Sequence, residues 1–132
     1  MKTFRQRTRQ QTTDALIEIG LPVTPDLAAR LLDAVARGRT LAEAGRSIRS
    51  QREYERWNDD LAHWRTGMAE TLEAGFATAA AHDAMREVWV SNTPLCTIWP
   101  DWLKAEQQAL NEALDFADRI REATCGVRKS VW

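Results

Sequence analysis

The 132-residue chain is short of several residue types: two cysteines, two histidines, three lysines, one tyrosine and four prolines. Cys96 and Cys125 stand apart with no CxxC pair, so neither a zinc site nor a redox motif is indicated, and both read as free thiols, buried or partly buried. His63 and His82 are nineteen positions apart, far from the spacing that sets two ligands on one helical face. No stretch approaches the roughly 18 consecutive apolar residues of a membrane span, and the opening MKTFRQRTRQQTTD lacks the apolar segment of a signal peptide. These absences predict a cytoplasmic protein with no membrane partner. There is no glycine-rich phosphate loop, HExxH, GxSxG or calcium loop, and acidic pairs such as Asp59 and Asp60 read as helix-start charges. The sequence therefore predicts no catalytic residue, no metal and no cofactor, and hence no enzyme.

What is present is ordinary globular material, 44% hydrophobic and 28% charged, enough for one domain with a real core. Two excesses stand out: six tryptophans and fifteen arginines, residue types enriched at interaction hot spots. The net charge of −1 hides a division. Residues 1–57 carry eleven basic and seven acidic side chains, a balance of +4, and residues 58–132 carry seven and twelve, a balance of −5. A basic head on an acidic tail offers two contact surfaces, although charge of this size steers association without selecting the partner.

Periodicity and punctuation predict an all-α chain. A first helix is expected over 4–19, closed by Gly20. A second starts at Thr24 and Pro25, carries Leu27, Leu31, Leu32 and Val35, and stops at Gly38. Two capping boxes follow, Thr40 to Glu43 and Ser50 to Glu53; they predict short helices over 41–48 and 51–57. Asn58, Asp59 and Asp60 mark a further start, and Leu61, Trp64, Met68, Leu72 and Phe76 recur at helical spacing in a helix expected to reach Val88 or Trp89. At 1.5 Å per residue it would reach about 45 Å, beyond the roughly 36 Å diameter of a compact domain of this length. It should overhang or pack on a second copy. The stretch 90–100 reads as an extended connection, and a last helix from about Asp101 to Ala123, ended by Gly126, is expected to fold back on 59–89 as a long antiparallel hairpin. The organisation expected is a basic helix-turn-helix-like region, 1–57, followed by a hairpin, 58–132, for oligomerisation or partner binding.

The unit at 41–57 has a functional template. In a helix-turn-helix the second helix leads into the major groove while the first braces it. Tyr54 and Trp57 would face the core with Leu41 and Ile48, leaving Gln51, Arg52 and Arg56 outside. Arg and Gln have the planar forks that match guanine and adenine edges. Arg46 and Arg49, with Arg37 and Arg39 before them, would contact phosphate. Glu53 and Glu55 on the same helix oppose this, and capped helices with scattered arginines occur in many helical proteins.

The run LLDAVARGRTLAEAGRSIRSQREYERWNDDLAHWRTGMAETLEAG, residues 31–75, resembles the DNA-binding region of small terminase subunits of tailed phages. Gly38, Thr40, Ala42, Ala44, Tyr54, Arg56, Trp57, Trp64 and Glu73 carry the match. After Ala44 and Gly45 the family's small-Gly-apolar-Ser turn is replaced by Arg-Ser-Ile-Arg, and the Trp-rich segment 89–102 and the last helix have no counterpart in it. The resemblance implies a non-catalytic, ring-forming subunit in the host cytoplasm that recognises double-stranded DNA at a packaging site and passes it to a large terminase subunit. The competing class is a protein-binding inhibitor or adaptor that uses Trp89, Trp99, Trp102 and Trp132 and the acidic half to dock on a host protein complex. The plainer alternative for those tryptophans is core or self-association packing.

Overall fold

The computed structural model describes residues 26–76, 79–95 and 98–130, with side chains through residue 122. Among the described residues the chain is all-α, with no strand and four helices: α1 (Leu27–Gly45), α2 (Gln51–Gly75), α3 (Ala80–Ser91) and α4 (Trp99–Ser130). The helix expected over 4–19, the start at Thr24 and Pro25, Cys96 and Trp132 lie outside the described residues.

The helix bounds differ from the sequence-based ones in four places. First, α1 runs straight through Gly38 and Thr40. The Thr40 hydroxyl donates to the Ala36 carbonyl at 3.2 Å inside that helix instead of capping a new one. Gly38 is a packing notch, because a Cβ there would lie 2.5 Å from Leu114 Cδ2 and 2.9 Å from the Trp64 ring. Second, α2 passes through Asn58 without restarting, since the Asn58 amide is used across the bundle by Glu106. Third, the helix expected over 59–89 breaks at Phe76, which is extended (φ −132°, ψ 151°) and buried. Fourth, α4 begins at Trp99 and continues through Gly126 to Ser130.

The turn between α1 and α2 is built as the Ser50 box requires. Glu53 N–H donates to Ser50 Oγ at 3.2 Å, and the Glu53 carboxylate reaches back to Arg49 N–H at 3.4 Å. Two otherwise unpaired amides are thereby satisfied, which fixes where α2 starts.

α1 is the central helix. It lies antiparallel to α2 along its whole length: Leu27 packs on Gly75, the Trp64 indole N–H donates to the Ala34 carbonyl at 2.8 Å, and the Trp57 indole N–H donates to the Leu41 carbonyl at 2.8 Å. The partners on both helices are two turns apart, so the indoles form successive rungs. α4 runs antiparallel to α1 on another flank, placing Gln107 by Gly45, Leu114 by Gly38 and Asp118 by Arg39. The last helix thus packs chiefly on α1, with a smaller contact to α2 and α3, rather than along a single 59–89 helix. Its length of 32 residues corresponds to about 48 Å.

One core joins these elements, from Leu27, Leu31 and Val35 on α1 through Trp57, Leu61, Met68 and Leu72 on α2 to Leu110, Phe116 and Ile120 on α4. Each such buried side chain contributes on the order of 1.5–3 kcal/mol relative to exposure. Leu32, expected in the apolar stripe, is instead 54% exposed. The expected division at 57/58 falls inside α2, and the core extends on both sides of it.

Candidate nucleic-acid interface at the hairpin tip

Seven side chains carry the expected DNA contacts, and the structure divides them by what each already holds. Arg37 pairs with Asp33 at 2.9 Å, and Arg39 pairs with Asp118 of α4 at 2.7 Å. Both lie on the body of α1, set back from the turn. Arg46 sits in the turn 3.4 Å from Glu43. Arg49 donates to the carbonyls of Arg46 and Ile48, each at 3.1 Å, so it closes the end of α1. Gln51 is 3.5 Å from Glu55.

Arg52 and Arg56 differ from these. Both are exposed, and among the described residues no carboxylate is within 4.0 Å of either. Four positions apart on α2, they share one outward face. Behind them Tyr54 is half-buried and Trp57 is buried with Ile48, and Leu41 packs alongside, so the inward and outward faces divide as the periodicity predicts.

The geometry of the unit is a hairpin. Helices of a helix-turn-helix cross at about 90–120°, whereas α1 and α2 stay side by side from Leu41 and Trp57 back to Leu27 and Gly75. Two helices of about 10–12 Å diameter exceed a major groove about 12 Å wide. Only the tip, residues 46–56, can enter a groove or straddle a phosphate ridge.

Of the tryptophans assigned to partner docking, those described lie mostly inside the fold, as the plainer packing alternative has it. Trp89 is buried at 9% exposure, with the Arg65 guanidinium 4.2 Å above its ring. Trp99 is half-buried and stacks on Tyr54 at 6.1 Å between centroids. Trp102 is half-buried as well. Both sit where α4 approaches α2 and α3, which explains why their apolar area is spent inside the fold. The exposed large apolar residues are instead Val90, Leu95 and Ile98, in and beside the connection from α3 to α4, together with Leu32.

A buried polar cluster escaped the sequence reading. Glu106 on α4 is only 9% exposed; one carboxylate oxygen accepts from the Tyr54 phenol, and the other accepts from Asn58 Nδ2 at 2.5 Å. Burial pushes the Glu106 carboxyl above its ordinary value, against the lowering effect of Tyr54, Arg65 and Asn58. Burial also raises the Tyr54 phenol, with Glu106 adding to the effect. Two signals were available: Tyr54 and Asn58 are one turn apart, and Glu106 interrupts the apolar line of Leu103 and Leu110. Among the described residues every buried side-chain polar atom has a partner, which makes this cluster a structural clasp between α2 and α4.

Among the described residues no group of three or more His, Cys, Asp or Glu is placed to hold a metal, and no helix is long and apolar enough to cross a membrane. No protein-family model, curated protein or solved structure matches this chain.

Proposed function

We propose that the chain is a non-catalytic protein that binds double-stranded DNA through the tip of the α1–α2 hairpin, in the manner of a small terminase subunit. One observation carries the reading: Arg52 and Arg56 stand exposed on one face with no ion-pair partner among the described residues, immediately after a turn that already holds Arg46 and Arg49. A guanidinium without a counter-ion, on a well-capped helix, is preorganised for phosphate. Because only the tip can approach the duplex, contacts to phosphate by Arg52 and Arg56 outweigh base reading, and Gln51 supplies what base contact there is. Self-assembly into a ring, delivery of DNA to a large terminase subunit, and action in the host cytoplasm belong to the same proposal. Measuring duplex affinity against salt for the native chain and for Arg52→Ala/Arg56→Ala tests it. Loss of two phosphate contacts lowers the slope of log K against log salt by about 1.8.

A second reading rests on Val90, Leu95 and Ile98, which expose apolar side chains beside the 92–98 connection. Such a patch fits a helical adaptor or inhibitor docking on a host protein complex. This reading predicts a monomer or dimer that ignores duplex DNA even at about 50 mM salt, where phosphate contacts are strongest.

A further inference from the structure

A cleft lies between α2, α3 and α4, away from the hairpin tip. It has a volume of about 150 Å³, and Arg65, Arg86, Trp89, Pro94, Trp102 and Glu106 are among its lining residues. The Arg65 guanidinium carbon lies 4.2 Å from the centroid of the Trp89 ring. Among the described residues neither Arg65 nor Arg86 has a carboxylate within 4.0 Å. The Glu106 oxygens are already taken by Tyr54 and Asn58. The cleft therefore presents two arginines against one occupied carboxylate, beside the half-buried Trp102 indole.

We infer that this cleft binds a small aromatic anion, a single ring bearing a carboxylate or phosphate, as a free compound. Three features select that class. The volume matches that of a cavity known to hold one benzene ring, about 150 Å³, so the cleft takes a single ring with its charged group towards solvent, and a long acyl chain does not fit. The half-buried Trp102 indole at the cleft favours a ring stacked on it or packed edge-on. Guanidinium groups bind planar carboxylate or phosphate oxygens in pairs, and they repel cations.

Phenyl phosphate and benzoate, titrated into the isotope-labelled full chain, are followed by NMR at the Trp89 and Trp102 indole N–H signals. Both ligands should saturate these signals with one dissociation constant each, while neutral benzamide binds much more weakly. Arg86→Gln, a change at an exposed position, should weaken phenyl phosphate by about tenfold or more, as loss of a charge-assisted hydrogen bond requires. Glu106→Gln, which removes the like charge while keeping the side-chain shape, should tighten it. The inference is overturned if neither anion saturates the signals below roughly 10 mM, a range already weaker than millimolar binding. It is also overturned if benzamide matches benzoate, or if a folded Arg86→Gln chain binds phenyl phosphate as the native one does. A capped phosphotyrosine that binds tighter than phenyl phosphate would assign the cleft to a peptide side chain and overturn the free-compound assignment.

Discussion

The phenol of Tyr54 on α2 donates a hydrogen bond to the carboxylate of Glu106 on α4, across fifty-two positions of sequence. Asn58 supplies a second donor to the same carboxylate. The pair ties the tip-proximal end of α2 to the start of α4, close to where Trp99 stacks on Tyr54. It thereby holds in register the helix that carries Arg52 and Arg56.

Tyr54→Phe removes one donor and leaves a buried carboxylate oxygen unpartnered. The expected loss is about 1–3 kcal/mol of unfolding free energy, measurable by urea denaturation. A loss below about 0.3 kcal/mol would place the clasp within the range of a neutral surface change.

The clasp also has a pH signature. The Glu106 carboxyl in the folded chain is held above its ordinary value of 4.5, first by burial. The folded state therefore binds this proton more tightly than the unfolded state. Its contribution is fully present below the ordinary value and is lost as pH rises through the raised value. Native minus Glu106→Gln stability, measured by denaturant at several pH values, should fall as pH rises from 4.5 towards neutrality. A difference that rises over that interval contradicts the burial-dominated assignment.

Gly38 and Gly67 make opposite predictions. Alanine at 38 brings a Cβ to 2.5 Å from Leu114 Cδ2 and 2.9 Å from the Trp64 ring, whereas at 67 nothing lies within 4 Å. Overpacking at 38 should cost about 1–3 kcal/mol, even after the gain in helix propensity. Gly67→Ala should stabilise by about 0.5–1 kcal/mol. Thermal melts of the two single variants check the contrast.

Ser50→Ala removes the oxygen that accepts from Glu53 N–H and should cost about 1 kcal/mol. It also loosens the first turn of α2. Amide hydrogen exchange at residues 51–54 should accelerate by more than at residues 61–72.

Much of this architecture was legible in the chain. The Ser50 and Glu53 box was readable because both partners are local, and the buried stripe of Leu61, Met68 and Leu72 follows helical spacing. Gly38 was misread because a glycine that lets three helices approach has the same local appearance as one that ends a helix. Asn58 was misread for a related reason: its capping chemistry is local, but its actual partner, Glu106, is forty-eight residues away. For Trp89 the sequence left docking and packing both open, and the contact with Arg65 of α2 across its ring decides for packing. In each case the missing information was a tertiary contact. The basic character of 46–56 was visible from composition, but only the fold shows that Arg37, Arg39, Arg46 and Arg49 are already engaged while Arg52 and Arg56 have no such partner among the described residues.

The most direct test of DNA binding by the hairpin tip is the salt dependence of duplex affinity for the full chain, measured by fluorescence anisotropy beside Arg52→Ala/Arg56→Ala. The native chain should bind at about 50 mM salt with a slope steeper than that of the double variant by about 1.8, while circular dichroism shows both equally helical. Native and variant slopes that coincide, or no binding by the native chain at that salt, would contradict the account.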